Sequence, residues 1–226
     1  MKFKSQVYTQ ASGSIGGVTY SHNAGGMYTR GRSIPVNSNT TYQQAVRNLV
    51  AQLAPAWSTT LTSTQRDQWT AYANAVPYVN ALGEPINVSG LAMYIACNLP
   101  RMQAGLARVD PGPSTLVLPT LTIPAYTVTA PSTGSLAFTN TDAWAGEVGG
   151  ALLLRTSPGT AVTRNYYKGP YRYAGKVAGA LSPPTSPASI APAFAVVAGQ
   201  RVHYTVRAVR ADGRISGPLF LAVTAG

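Results

Sequence analysis

The chain has 226 residues, of which 45% are hydrophobic, enough to bury one large core or two small ones. Only 10% are charged, against about 25% in an average soluble domain. The 17 basic residues outnumber the 6 acidic residues, and the net charge of +11 favours an acidic protein surface or nucleic acid as partner. No run of basic residues is longer than two, whereas nucleic-acid-binding arms are usually denser. We therefore expect a basic surface that fits an acidic partner, with nucleic acid as the disfavoured alternative.

The single cysteine and the hydropathy pattern argue against two further classes, a disulfide-stabilised secreted domain and a membrane-spanning protein. Cys97 has no second cysteine with which to form an intramolecular disulfide, and its apolar neighbours predict a small buried side chain. The apolar stretches are far shorter than the ~20 residues that cross a bilayer. The N-terminus begins with Lys2 and Lys4, but no apolar segment follows them. We expect neither a signal peptide nor a membrane partner.

The first predicted element is a small β unit over residues 3–36, whose first strand contains Phe3 and Tyr8. Two further strands flank the sequence Asn-Ala-Gly-Gly at 23–26, which is a strong hairpin signal. The glycine pair at 16–17 predicts a bulge or a close backbone approach within the second strand. A unit of this size is marginally stable alone, so we expect it to need a partner surface.

Three helices are predicted next. Apolar residues at three- and four-residue spacing predict one helix over residues 42–53, and a capping-box pattern predicts a second after Thr62. A third helix is predicted from Ser89. Trp57 and Trp69 are interpreted as the packing centre of this cluster rather than as ligand-stacking residues, because aromatic residues at helical spacing usually belong to a core.

Residues 110–114, Asp-Pro-Gly-Pro-Ser, mark a change in composition and are the predicted domain boundary. Beyond them, five to seven short alternating strands predict an antiparallel β-sandwich over residues 114–226, which we expect to fold alone. The alternation over residues 202–209 is nearly ideal. The predicted fold class is α+β, in which residues 1–110 form a β-hairpin and a small helical cluster that docks on a partner.

The sequence offers little to catalysis. His22 and His203 are the two histidines, and neither has a carboxylate nearby in sequence. One cysteine and two histidines do not make a zinc cluster. Asp142 and Glu147 flank Trp144 and form the one close acidic pair, which suits a glycosidase, but a solvated loop with a packed tryptophan is favoured. We expect a non-enzymatic protein with no cofactor and no metal site.

Two clusters combine basic and aromatic residues. In the first, Arg30 and Arg32 alternate along a strand after Tyr28, so both point the same way and suit the carboxylates of a partner. The other cluster spans residues 164–173. It suits base stacking, a protein interface or an edge hairpin of the sandwich, and its content of Tyr and Arg favours the protein interface. The predicted interface residues are Tyr28, Arg30, Arg32, Tyr166, Tyr167, Lys168, Tyr171, Arg172 and Tyr173.

Four segments of the N-terminal half form a recognisable series. They are Gly-Ser-Ile-Gly-Gly-Val-Thr-Tyr at 13–20, Tyr-Thr-Arg-Gly-Arg-Ser-Ile-Pro-Val-Asn at 28–37, Gln-Gln-Ala-Val-Arg at 43–47, and Leu-Thr-Ser-Thr-Gln-Arg-Asp-Gln-Trp at 61–69. This series resembles a family of tailed-phage and prophage virion proteins with a Gly-rich hairpin, an Arg-rich strand, a proline and a Gln-rich helix. Residues 204–209, with Gly213 and Ser216 after them, are similar to the late strands of a fibronectin-type or immunoglobulin-like sandwich.

The resemblance implies a structural role in a virion, with no assigned active site. The protein would be made in the host cytoplasm and would dock on capsid, neck or tail subunits. Head decoration, a neck or head-to-tail position and fibre attachment all fit, as a homo-oligomer or bound to a lattice. Two alternatives remain open. One is a genome-associated nucleic-acid-binding protein, supported by charge; the other is a carbohydrate-binding module, supported by the tyrosines, the tryptophans and the acidic pair.

Overall fold

The computed structural model describes residues 11–23, 26–34, 36–79 and 84–226. The chain divides into two compact units, residues 1–41 and 42–226. The predicted first strand containing Phe3 and Tyr8 lies outside the described residues, as does the centre of the predicted turn at 24–25. The α+β prediction is confirmed, because antiparallel sheets and three helices occupy separate stretches of the described chain.

The first unit contains a three-stranded antiparallel sheet, here named the hairpin sheet. Its strands are β1 (Gly13–Ile15), β2 (Val18–Asn23) and β3 (Gly26–Gly31), in the order β1-β2-β3. The glycines at 16 and 17 form the turn between β1 and β2, so the prediction of a bulge inside a strand was wrong. Gly16 has a φ of 58°, a left-handed conformation that glycine adopts without steric cost in a tight turn.

The second unit begins with the helical layer. Its elements are α1 (Thr41–Thr59), α2 (Ser63–Ala75), β4 (Tyr78–Val79), β5 (Pro85–Ile86) and α3 (Gly90–Gln103). The predicted capping box is present: the amide of Gln65 donates to the Thr62 hydroxyl at 3.3 Å, and the Thr62 amide donates to the Gln65 side chain at 2.9 Å. In the part of the chain that the structure describes, no helix has the length and apolar character of a membrane span.

Seven strands form the sandwich. They are β6 (Ala125–Thr129), β7 (Thr133–Ala137), β8 (Ala151–Thr156), β9 (Arg172–Ala178), β10 (Ala188–Ser189), β11 (Arg201–Val209) and β12 (Leu219–Thr224). One sheet has the order β10-β7-β6, and the other has the order β12-β11-β8-β9. Tyr126 and Tyr204 join the two sheets, with ring centroids 5.3 Å apart and a hydrogen bond from the Tyr126 amide to the Tyr204 hydroxyl.

The central strands of the four-stranded sheet, β8 and β11, are buried on both faces. Leu152 and Leu154 of β8 pack in the core between the two sheets. Their neighbours Ala151 and Leu153 point the other way, into a second core that also contains Trp69 and other residues of the helical layer. A run of consecutive apolar residues is what a strand covered on both sides requires. The helices and the sandwich therefore share a core, and three layers result.

The predicted boundary at 110–114 lies inside the second unit and packs on α2. The Trp69 indole donates to the carbonyl of Asp110 at 2.9 Å, and the Gly112 amide donates to the Gln68 side chain at 3.1 Å. A Cβ added to Gly112 would lie 2.5 Å from the Cβ of Gln68, so only glycine fits there. Folding of residues 114–226 on their own stays a prediction. The isolated segment would expose the sheet face that the helices cover in the whole chain.

Leu153→Ala tests the shared core. Because Leu153 is buried between sheet and helices, we expect the free energy of unfolding to fall by about 2–5 kcal/mol. Amide protons of α3 and of β8 should lose protection together, as measured by native-state hydrogen exchange. Leu181→Ala is the control, since Leu181 is exposed and its truncation should change stability by less than about 0.5 kcal/mol. Loss of protection confined to the helices would contradict a shared core.

Candidate functional site

The hairpin sheet has two chemically different faces. Directly opposed residues of antiparallel strands share a face, and the register pairs Thr19 with Arg30 and Ser21 with Tyr28. The Ser14 and Thr19 hydroxyls are hydrogen-bonded at 2.7 Å on that same polar face. The register places the other set of side chains on the opposite face, which carries four apolar or aromatic residues and two polar ones: Ile15, Val18, Tyr20 and Met27, with His22 and Thr29.

Two apolar side chains on this face, Ile15 and Val18, are exposed. Among residues 11–23, 26–34 and 36–40, none is buried, and Ile15 is 78% exposed. Small antiparallel sheets need burial of an apolar face for stability. The hairpin sheet thus has the alternating pattern of a sheet that packs on a core, but none of its described side chains is buried.

The predicted arginines extend the polar face. Arg30 is the penultimate residue of β3, and Arg32 lies just beyond that strand. The Arg32 amide still donates to the carbonyl of Gly17 at 2.9 Å, so the ladder continues and the two side chains keep alternate positions. Both side chains are exposed. The structure therefore places Tyr28, Arg30 and Arg32 on one face, opposite the apolar one.

The second predicted cluster surrounds a pocket of about 460 Å³ on the sandwich, here named the aromatic pocket. Its lining residues come from the segment before β9 and from β11 and β12: Asn165, Tyr166, Tyr167, Lys168, Tyr171, Arg201, His203, Phe220, Leu221 and Ala222. Arg172 and Tyr173 are not among them. The Arg172 guanidinium lies over the ring of Tyr42, 4.8 Å from its centroid, and Tyr173 packs against the core beneath the helices.

His203 forms the floor of the aromatic pocket. It is 4% exposed, because the ring of Tyr167 stacks on it at a centroid distance of 5.6 Å. Burial lowers the pKa of His203, and the charges of Arg201 and Arg164 lower it further. Its Nε2 atom has no hydrogen-bond partner among the described residues. A neutral imidazole with an open nitrogen thus lies beneath the aromatic rings.

The rim of the aromatic pocket is basic and aromatic. Tyr166 is 75% exposed and Phe220 is 65% exposed, while Lys168 is exposed and Arg201 donates to the Asn165 side chain at 3.0 Å. The lining residues include no carboxylate. Aromatic rings beside cations suit an acidic protein segment, and equally an anionic ligand with a planar or ring-shaped group.

Sequence reasoning missed the five lining residues that come from β11 and β12: Arg201, His203, Phe220, Leu221 and Ala222. Their positions on β11 and β12 place them next to the 164–173 segment only through the tertiary fold. The alternation of β11 did indicate that His203 points away from the sandwich core, and this orientation is observed. The sequence did not indicate that the 164–173 segment packs against the His203 face of β11.

The acidic pair has structural partners. Asp142 accepts hydrogen bonds from the Thr122 amide at 3.0 Å and from the Thr122 hydroxyl at 2.7 Å. Glu147 forms an ion pair with Arg210, at 2.5 Å between Oε1 and Nε, and accepts from the amide of Ala211. Trp144 between them is buried and packs against a phenylalanine of the sandwich core. This arrangement favours the interpretation of a structural loop over that of a glycosidase pair.

The remaining polar candidates are also distributed. Cys97 is buried on α3, and burial raises the pKa of its thiol to about 12, so it is a poor nucleophile at neutral pH. His22 lies on β2, in the other unit from His203. Among the described residues, no group of three or more His, Cys, Asp or Glu side chains is placed to hold a metal ion.

The sequence was compared with protein-family models and with curated proteins. No family model matches the chain, and no curated protein matches it.

The stacked histidine predicts a pH effect. The folded-state pKa of His203 lies below its ordinary value of 6.5, so the unfolded state binds a proton at higher pH than the folded state does. The contribution of His203 to the free energy of unfolding is therefore fully present above about pH 6.5. It is lost as the pH falls towards the folded-state pKa of His203. Nuclear magnetic resonance titration of the imidazole should show a midpoint below 6.5.

Tyr167→Ala is the informative variant for this titration. Removing the stacked ring exposes the imidazole to water, so the pKa of His203 should rise towards 6.5. A wild-type midpoint at or above 6.5, or no change in Tyr167→Ala, would show that His203 is not shielded in solution.

Proposed function

We propose that the protein is a non-enzymatic virion structural protein of a tailed bacteriophage, which docks on a neighbouring virion subunit through its hairpin sheet. The observation that carries this proposal is the exposure of Ile15 and Val18, two apolar side chains on one face of β1–β3. A sheet with one apolar and one cationic face, and no buried side chain among those described, suits completion by another protein. The family resemblance of the same segments adds the virion as the setting.

The chemistry of the sheet specifies the partner surface. An apolar patch on the neighbour would cover Ile15 and Val18, and each fully buried side chain of this size contributes about 1.5–3 kcal/mol. Carboxylates at the edge of that patch would pair with Arg30 and Arg32. Such an interface is modest for one copy, but a lattice of subunits multiplies it through avidity. Head decoration, neck and fibre-attachment positions all provide such repeats.

The aromatic pocket supports a second contact on the same protein. Its cationic, aromatic rim has the composition of a protein interface. The same rim also supports the two alternative functions: a genome-associated protein would stack bases on Tyr166 and Phe220, and a carbohydrate-binding module would stack sugar rings there. DNA affinity that falls steeply with salt would favour the first alternative. Salt-insensitive binding of a glycan would favour the second.

The double change Arg30→Ala with Arg32→Ala tests the docking role. Both side chains are exposed, so we expect the purified variant to keep its melting temperature. We expect it to be missing from assembled particles, because the charged rim of the interface is lost. Mass spectrometry of purified particles measures the copy number, which would be dozens to hundreds for head decoration and six or twelve for a neck or tail position.

The matched control removes two charges from the other cluster, as Arg164→Ala with Lys168→Ala. These residues are also exposed, and the net charge falls by the same amount. If the control is lost from particles while the Arg30/Arg32 variant is incorporated at normal copy number, docking belongs to the aromatic pocket. Absence of the wild-type protein from purified particles would reject the virion role itself.

A further inference from the structure

A second cavity, of about 270 Å³, lies between the helical layer and the four-stranded sheet and is here named the helix–sheet cavity. Its wall is mostly apolar, with Val76 and Met93 on the helical side and Ile215 and Pro218 on the sandwich side. Tyr78 and Val79 also line it and are exposed, so the cavity reaches the surface beside β4. An apolar cavity of this size, open at one end, has the dimensions of a small-ligand site.

Two polar side chains line this wall, Tyr72 and Arg207, and the first lacks the partner that a buried group normally has. The side chain of Tyr72 is 1% exposed, and its hydroxyl has no hydrogen-bond partner among the described residues. Buried hydroxyls are nearly always hydrogen-bonded, because losing water without replacement is costly. The Tyr72 hydroxyl is thus an open hydrogen-bond donor at the edge of an apolar space.

The second group is the guanidinium of Arg207 on β11. Its Nε donates to the carbonyl of Ser216 at 2.9 Å, and its other N–H donors have no partner among the described residues. No described carboxylate forms an ion pair with it, and Arg155 of the same sheet face adds positive charge nearby. A half-buried cation next to another cation is normally compensated by an anion. Here the residues that line the cavity supply none.

We propose that the helix–sheet cavity binds an apolar carboxylate, with the acid group held by Arg207 and Tyr72 and the hydrocarbon part against Val76, Met93 and Ile215. The carboxylate accepts hydrogen bonds from the guanidinium and from the tyrosine hydroxyl, which satisfies both open donors at once. A cavity of about 150 Å³ holds a benzene molecule, so ~270 Å³ suffices for an eight-carbon chain or a phenylalkanoate. This inference does not depend on the proposed virion role.

Octanoate is the probe, titrated into the full-length protein by isothermal titration calorimetry. We expect saturable binding of one molecule per chain, and at least tenfold weaker binding of 1-octanol, which keeps the tail and lacks the carboxylate. Arg207→Met should weaken octanoate binding at least tenfold. A peptide ending in a leucine carboxylate, compared with its amide, distinguishes a partner's chain end from a free amphiphile as the source of the ligand.

Tyr72→Phe keeps the proposal falsifiable if Arg207→Met fails to fold. It removes only an unpartnered hydroxyl, so its melting temperature should be unchanged or higher, while octanoate affinity should fall about tenfold. Tyr42→Phe is the matched control, because Tyr42 does not line the helix–sheet cavity, and it should bind as the wild type does. Failure of both octanoate and the leucine carboxylate to bind at millimolar concentration overturns the proposal. So does equal affinity for octanol, or unchanged octanoate affinity in Tyr72→Phe.

Discussion

Burial of both faces of the central strands β8 and β11 is the constraint on which the second unit depends. Strand β8 contributes alternate side chains to the core between the sheets and to the core beneath the helices. Arg101 of α3 strengthens the second contact: it is buried and donates to the carbonyl of Arg210 at 2.5 Å, just beyond β11. Because the helices cover part of one face of the four-stranded sheet, this sheet has its edges, its loops, the uncovered part of that face and the gap beneath the helices left for binding. The aromatic pocket and the helix–sheet cavity occupy such positions.

The first unit differs from the second in that its described residues form no buried core. Its sheet has the alternation of a half-buried element, yet none of its described side chains is buried. In a stable protein, an uncovered apolar face is either a liability or a contact site. The cationic residues on the other face, and a chain with few acids to repel an acidic partner, favour the contact site. The proposed function follows from this contrast between a unit with two cores and a unit whose described part has none.

Local signals were predicted well from the sequence, and layer contacts were not. The capping box at Thr62 and the alternation of β11 depend on near neighbours, and both are observed. The Pro-Gly segment at 110–114 has the composition of a linker, but its glycine allows it to pack closely on α2, which composition does not reveal. Likewise, Tyr72 and Arg207 are far apart in sequence and become one site only because a helix covers the sheet. The hydrophobic periodicity of a sequence and the propensities of its residues identify a helix or strand and its faces. They do not identify the other element that packs against each face.

If the hairpin sheet docks as proposed, Ile15 and Val18 are covered in the assembled particle. Hydrogen–deuterium exchange of the free protein and of purified particles measures this directly, peptide by peptide. We expect fast exchange of β1, β2 and β3 in the free protein and strong protection of the same strands in particles, with little change in β8 and β11. Equal exchange of β1, β2 and β3 in both states would contradict docking through the hairpin sheet.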